Sequence, residues 1–331
     1  MGIKAFRKLQ MGRETVAGTA VAATSLWRGL GTIEDTREQV DVDEDIGLFS
    51  GADRTYQGKL GALLSLESIP ATFEQFPHIL EAGIVAVGTG VADGAGSGKI
   101  YDYPVPEAAA SVIKTYTWEG GDNEEVEEME HCFVQDFGLD GKPGEAWMVS
   151  ANWIGRQVSI SSYTGAIAVP TVEDMLFSKT KFYIDAVASA YGTTLKSSTL
   201  LGASLKFKTG WKPVWTADGQ LYFSTIKAVK PEITLDLTLE FNGTSVAEKV
   251  NWRAQTPRKI QLKCEGSALT PGTIYSFKTM IINLVGKWDK FSKIGEAEGN
   301  DIVTGTFRGK YNATAADAGN IIVVNTLATL P

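Results

Sequence analysis

Alternation of apolar and polar residues is the dominant pattern along the chain. In the segment 233–241 five apolar residues alternate with four polar ones. This period of two predicts a strand with one buried face and one solvent-facing face. The segment 259–265 repeats the pattern, and 114–118 places its larger residues on one face. The segments 277–284 and 321–324 are apolar almost throughout, which predicts more fully buried strands. The chain is therefore predicted to be all-β.

Only short flanking helices are predicted. Ser245 followed by Glu248 matches a capping box, so a helix is expected from about Val246 to Ala254. The segment Pro77–Gly83 predicts another, because proline suits the first helical turn and glycine the residue just past the end. The segment Thr171–Met175 is a candidate for a third.

The chain also repeats itself. Met148–Gly155 aligns with Ile302–Gly309 at a constant separation of 154 residues, with apolar opposite apolar and glycine opposite glycine. A glycine-rich acidic turn precedes each segment, and the order of predicted strands and helix agrees in both halves. We therefore predict two tandem β-domains of the sandwich or part-barrel kind, whose open strand edges are covered or pair with neighbouring subunits. The predicted division is an extended N-terminal arm outside the core (1–24), copy one (25–168), a linker (169–177) and copy two (178–331).

Composition and charge narrow the function. The chain has 39 acidic and 31 basic residues and a net charge of −8, whereas a protein that grips nucleic acid needs a basic surface. No segment approaches the length of a membrane-spanning apolar helix, and the N-terminus lacks the apolar core of a signal peptide. The two cysteines, Cys132 and Cys264, are expected to be buried free thiols.

No catalytic, cofactor-binding or metal-binding residue is predicted, and the chain is not expected to be an enzyme. The two histidines, His78 and His131, are too few for a zinc site with typical spacing, and no G-x-S-x-G sequence is present. The segment Gly94–Lys99 lacks the first glycine and the final Ser or Thr of a phosphate-binding loop. The acidic segment Asp41–Gly47 lacks the glycine at position 6 of a calcium loop.

Three parts of the chain resemble a known family. They are the small-residue opening Gly12–Thr24, the short helix at Phe76–Gly83 after a strand, and the ending in which an acidic glycine turn and Val303–Phe307 lead to Asn325. Over most of its length the chain is similar to the tail tube (major tail) proteins of long-tailed, non-contractile bacteriophages.

The resemblance implies a fold, an assembly and a location. It implies β-sandwich domains, tail-tube-like, whose strands join a ring barrel between subunits. A duplicated chain would close a ring of three with pseudo-sixfold symmetry. Stacked rings would form the tail tube of the virion, assembled in the host bacterial cytoplasm, through which genomic DNA passes without specific binding. Tape measure, tail terminator and tail tip proteins are the implied partners, and no cofactor or catalytic residue is implied.

Charged residues supply the candidates for the tube surfaces. An acidic bore would keep DNA from sticking, so the polar positions Asp236 and Glu240 are expected to face the lumen, with outer solvent as the alternative. Three lysines do not suit such a bore, and they are expected to meet acids of an adjacent ring. The ring-stacking candidates are Asp41, Asp43, Asp45, Lys206, Lys208 and Lys212. The N-terminal arm and the acidic segment 34–54 are expected to become ordered against neighbouring subunits.

Two other functions fit the same features. One is another β-rich virion protein, either a capsid decoration protein or a head–tail connector. The other is a carbohydrate-binding or carbohydrate-cleaving β-domain, because eight tryptophans are enough to line a sugar groove. Most of these tryptophans lie in predicted strands, which favours a place in the core or in an interface.

Overall fold

The computed structural model describes all residues from 1 to 331. Strands contain 49% of them and helices 8%, which confirms the prediction of a mostly β protein with short helices. The strands form large antiparallel sheets. Neither helix is both long and apolar enough to cross a membrane.

The elements divide into two successive groups. The first comprises β1 (Lys8–Arg13), β2 (Ser25–Trp27), β3 (Gly31–Asp35), β4 (Glu38–Asp41), β5 (Thr55–Lys59), β6 (Ala62–Pro70), α1 (Phe76–Gly83), β7 (Val91–Ala92), β8 (Lys99–Pro104), β9 (Tyr116–Gly121), β10 (Val126–Gly141), β11 (Met148–Gly155) and β12 (Val158–Ser161). The second comprises β13 (Thr180–Ala186), β14 (Leu200–Lys208), β15 (Trp211–Val214), β16 (Thr225–Ala228), β17 (Glu232–Glu240), α2 (Gly243–Arg253), β18 (Arg258–Ala268), β19 (Phe277–Phe291), β20 (Gly295–Ala297), β21 (Asn300–Gly309) and β22 (Gly319–Asn325).

One antiparallel sheet runs through both groups. Its strand order is β3–β6–β11–β10–β14–β17–β21–β19. We call it the shared sheet. The long strands β10 and β19 belong to two layers, because their first parts pair instead with β9 and β12, and with β18 and β22. A core of 51 buried residues, drawn from both groups, fills the space under the shared sheet.

Seven strand pairings of the first group have counterparts in the second. The correspondence is β1–β9 with β13–β18, β9–β10 with β18–β19, β10–β11 with β19–β21, β10–β12 with β19–β22, β6–β11 with β17–β21, β3–β6 with β14–β17, and β4–β5 with β15–β16. A bulge between Val134 and Asp136 in β10 recurs between Trp288 and Lys290 in β19. The pairing order therefore assigns counterparts between the two groups to the residues of these matched strands.

Two of the predicted boundary segments contribute to the core. Leu9 and Met11 are buried in β1, which pairs with β9 and β2, so the view that residues 1–24 lie outside the core is wrong for Lys8–Arg13. Two apolar residues in a six-residue strand are too few to stand out as a period. In the predicted linker, Met175 and Phe177 are buried, and no helix forms over 171–175.

Helix α2 begins earlier than its sequence pattern suggested. Asn242 is the N-cap, and its side chain accepts hydrogen bonds from the backbone N–H groups of Thr244 and Ser245. Ser245 is the third helical residue, and its hydroxyl accepts a hydrogen bond from the backbone N–H of Asn242. The capping box is therefore formed by Asn242 and Ser245, because both can accept backbone hydrogen bonds at those positions. The helix predicted at Pro77–Gly83 is confirmed as α1.

Each helix holds one buried carboxylate against the sheets. The Glu81 carboxylate of α1 pairs with Arg13 at 2.5 Å and accepts a hydrogen bond from the Tyr116 hydroxyl at 2.5 Å. The Glu248 carboxylate of α2 pairs with Arg258 at 2.9 Å. Tyr116 and Arg258 are counterparts, because each lies at the start of its strand opposite the corresponding residue of β10 or β19. The same position thus anchors the helix carboxylate in both groups.

Candidate assembly interface

The two groups meet inside the chain through a strand pairing and an aromatic stack. Strand β10 pairs with β14, with Phe137 opposite Phe207 and Leu139 opposite Leu205. The rings of Phe137 and Phe207 stack at a centroid distance of 5.0 Å with planes 11° apart. One face of this paired junction is apolar, whereas the opposite face places Asp136 opposite Lys208.

A hairpin of the second group folds over the first at the same junction. The hairpin β15–β16 inserts Phe223, which is fully buried against Phe133 at a ring-centroid distance of 6.0 Å. The indole N–H of Trp211 donates to the carbonyl of Gly83, at the end of α1. Arg156 of the first group donates to the Phe223 carbonyl at 3.2 Å. The junction therefore has two parts, a sheet pairing and a docked hairpin.

The two outer strands of the shared sheet, β3 and the end of β19, each have one edge with no paired strand. Strand β3 pairs only with β6, and β19 beyond Lys287 pairs only with β21. By the pairing order β3 is the counterpart of β14, and the end of β19 is the counterpart of the end of β10. The chain therefore presents, as free edges, the two halves of a junction that it has already formed once internally.

The counterpart positions fix the register that a second junction would have. Asp136 and Lys290 lie at the same step beyond the bulge, opposite Asn152 in β11 and Thr306 in β21. Phe291 is then the counterpart of Phe137, and Asp35 of β3 is the counterpart of Phe207. A junction between two chains would place Phe291 of one chain opposite Asp35 of the other.

The two free edges carry opposite charge. The β3 edge and the residues after it include Glu34, Asp35 and Glu38, partly offset by Arg37, which pairs with Asp35 at 2.5 Å. The β19 edge includes three exposed lysines, Lys287, Lys290 and Lys293. Charged side chains on an edge strand discourage indiscriminate sheet pairing and favour a partner of opposite charge.

The shared sheet brings together four of the predicted surface residues. In β17 the residues Ile233 to Leu239 that point inward are buried, whereas Asp236 and Glu240 lie on the opposite, partly exposed face. Strand β14 pairs with β17 so that Ser204 faces Asp236 and Lys206 faces Thr234. Residues in register share a face, so Lys206 and Lys208 lie on the same face as the two acids. The sequence predicts that the two acids face the lumen and that the two lysines face an adjacent ring. The strand register instead places all four side chains on one face of the sheet.

The remaining stacking candidates lie on the two hairpins. Asp41, at the end of β4, and Asp43 and Asp45 in the loop that follows are exposed. Lys212 is exposed in β15, whereas Lys208 forms an exposed ion pair with Glu232 at 2.9 Å. The structure of one chain brings none of these three acids against Lys206, Lys208 or Lys212.

Sequence reasoning missed the basic residues beside the β19 edge. Lys287 pairs with Arg308 in register, just as Phe133 pairs with Ile154 at the counterpart position. The 154-residue separation would have aligned these pairs and shown that basic residues stand where the first group has an apolar contact.

Comparison with known proteins assigns no family to the chain. A scan against models of protein families finds no match, and a search of curated proteins finds none. The candidate interface therefore rests on the strand register and on the charges of the two free edges.

Proposed function

We propose that this chain is a structural subunit that closes into rings, and that the rings stack as the tail tube of a long-tailed, non-contractile bacteriophage. The observation that carries the proposal is the junction between β10 and β14, together with the two unpaired counterparts of its halves in β3 and β19. Repeating the same junction from chain to chain turns each step by a similar angle, and a constant rotation that has no rise along the axis and divides a full turn closes a ring.

The proposed ring contains three chains and six tail-tube-like β-units. The units correspond to the two groups of elements, β1 to β12 and β13 to β22, so that the first copy begins with β1 rather than at residue 25, and the seven repeated pairings support their equivalence. Three junctions would lie within chains and three between chains. The shared sheets would then join edge to edge into one continuous barrel.

The polar face of the shared sheet is the proposed lumen surface. Its strands β10, β14, β17 and β21 carry five acids and three basic residues on this face, namely Asp136, Asp140, Glu232, Asp236, Glu240, Lys206, Lys208 and Arg308. The excess of acids would repel the phosphate backbone, while Lys208 is held close to the Glu232 carboxylate. DNA would therefore slide through the tube without specific binding.

The proposal places the protein in the virion tail, after assembly in the host bacterial cytoplasm, in a non-enzymatic role. A tube of defined length needs proteins that start it, measure it and end it, so tail tip, tape measure and tail terminator proteins are the proposed partners. No cofactor has a part in this function.

Electron microscopy of the purified protein over a range of concentrations tests the proposal. Hollow tubes built of stacked rings are expected, whereas clusters of separate particles would favour a capsid decoration or connector role.

Two matched variants, Lys293→Pro and Lys293→Ala, test the pairing of the free β19 edge. The N–H of Ser292 donates to Thr304 of β21, so by alternation the N–H of Lys293 points to the free edge. Proline removes this donor and should abolish rings, whereas alanine keeps it and should allow them.

A further inference from the structure

The hairpin β4–β5 combines a cluster of acidic residues with exposed apolar side chains. It carries six acids, namely Glu38, Asp41, Asp43, Glu44, Asp45 and Asp53, against Arg54 and Lys59. Its loop exposes three large apolar side chains, Ile46, Leu48 and Phe49, of which Phe49 is fully exposed. We call residues 38–59 the acidic hairpin. Exposed apolar side chains grouped on one loop are typical of a surface that is covered by a partner.

The corresponding hairpin of the second group is already covered. The β15–β16 hairpin follows β14 as β4–β5 follows β3, and it buries Phe223 on the first group. Its contacts are Phe133 and Arg156, and the Leu221 carbonyl accepts a hydrogen bond from the N–H of Leu60. The acidic hairpin belongs to the first group, so its equivalent seat lies on the second group of another chain.

The equivalent seat is basic. The counterparts of Phe133, Ile154 and Arg156 are Lys287, Arg308 and Lys310, and all three are exposed. Arg308 forms an exposed ion pair with Asp289 at 3.1 Å. We call these three residues the basic platform. Where the internal junction buries Phe223 against Phe133 beside a single arginine, Arg156, the outer ends present an acidic hairpin and a basic seat.

We propose that the acidic hairpin of one chain docks on the basic platform of a second copy of this chain, beside the pairing of β3 with β19. The inference deepens the proposed ring, on which it rests, by naming the contact that closes it. One junction is permanent because it lies within a chain, so it can be apolar. The other must stay soluble until assembly, and opposite charges provide both solubility and selective association.

Charge reversal tests the docking. One variant carries Asp41→Lys, Asp43→Lys and Asp45→Lys, a second carries Lys287→Glu, Arg308→Glu and Lys310→Glu, and a third combines all six changes. Ring formation is measured by sedimentation across a concentration series at low salt. Each single reversal should raise the concentration needed for rings at least tenfold, and the combined variant should restore it to within about threefold of the wild type.

A matched control identifies the partner of the acids. The variant Lys212→Glu with Lys227→Glu reverses two exposed lysines of the β15–β16 hairpin, outside the platform, and should leave ring formation unchanged. If this control blocks rings while the platform reversal does not, the acids have a different partner and the proposal is wrong. The proposal is also wrong if the combined variant assembles no better than the single reversals.

The failure of the proposed function has a different signature, because in that case the wild type itself forms no rings at any concentration. Circular dichroism of each variant verifies that it is folded.

Discussion

At the residue scale, the buried helix carboxylates are the most exacting feature of the fold. Glu81 and Glu248 are almost fully buried, and each is stabilised by an arginine whose side chain is mostly covered. Burying a carboxylate costs several kcal/mol unless a partner compensates for the lost hydration. The two groups solve this problem at the same position with different residues, Tyr116 in one and Arg258 in the other.

Replacing one arginine of a buried pair should therefore strongly destabilise the fold. Arg258→Ala leaves Glu248 buried without its cationic partner, with only the indole N–H of Trp288 and the side-chain amide of Asn251 as side-chain donors. We expect the free energy of unfolding to fall by about 3 kcal/mol, measured by urea denaturation. The matched control is Lys208→Ala, which removes an exposed ion pair and should leave the urea midpoint unchanged. Equal effects of the two changes would contradict this account of the helix anchors.

The two histidines predict a loss of stability in mild acid. Burial, with a further contribution from Arg13, lowers the pKa of His78 to about 3, and burial with Arg156 lowers that of His131 to about 4. In the unfolded chain both imidazoles take up protons near pH 6.5, so below this pH the unfolded state binds more protons than the folded state.

Stability should therefore be complete above pH 6.5 and fall as the pH is lowered towards 4. Each histidine should contribute a slope of about 1.4 kcal/mol per pH unit within this window. Urea denaturation at pH 7, 6 and 5 measures the slope, and His78→Gln should reduce it by its own share. An unchanged slope in that variant would show that His78 does not remain neutral in the folded state.

At the element scale, the first strand is a structural part of the outer layer. Strand β1 lies between β2 and β9, so removing it uncovers two neighbouring strands. Met11→Ala should lower the free energy of unfolding by about 2–5 kcal/mol, because Met11 is fully buried. Deleting residues 2–14 should prevent stable folding, whereas deleting residues 2–5, which are exposed, should not. Thermal unfolding distinguishes these outcomes, and a stable 2–14 deletion would contradict the role of β1.

Some elements were predictable from the sequence because their signals are local. The alternation in 233–241 predicted both strand β17 and the face that it buries, since a period of two acts within the strand itself. The repeat at Met148 and Ile302 was visible because β11 and β21 pair with neighbours of the same kind. Strand β1 was missed because its burial depends on β9, more than a hundred residues away in the chain.

The candidate interface was less accessible to sequence reasoning because it depends on register. Nothing local in Lys206 shows that it shares a face with Asp236, since this follows from the pairing of Ser204 with Asp236. The surface on which a hairpin docks likewise depends on residues far away in the sequence. Sequence reasoning identified the acidic residues Asp41, Asp43 and Asp45, but their proposed seat, which includes Lys287 and Lys310, emerges only when the 154-residue repeat is combined with the strand register.

At the scale of the whole molecule, the account predicts that assembly responds to ionic strength. The internal junction is held by buried aromatic contacts and lies within one chain, whereas the free edges and the acidic hairpin meet their proposed partners through charge. Raising the salt concentration from about 0.05 M to 0.5 M shortens the Debye length and weakens contacts between exposed charges. The concentration needed for rings should therefore rise with salt, as measured by light scattering. Assembly that is independent of salt would point to an apolar interface elsewhere.

The number of chains in a ring tests the central claim most directly. Two β-units per chain, joined by one internal junction, predict rings of three chains with six similar units. Native mass spectrometry of isolated rings should give the mass of three chains, and images along the ring axis should show approximate sixfold symmetry. A ring of six chains, or a protein that remains monomeric at high concentration and low salt, would contradict the account.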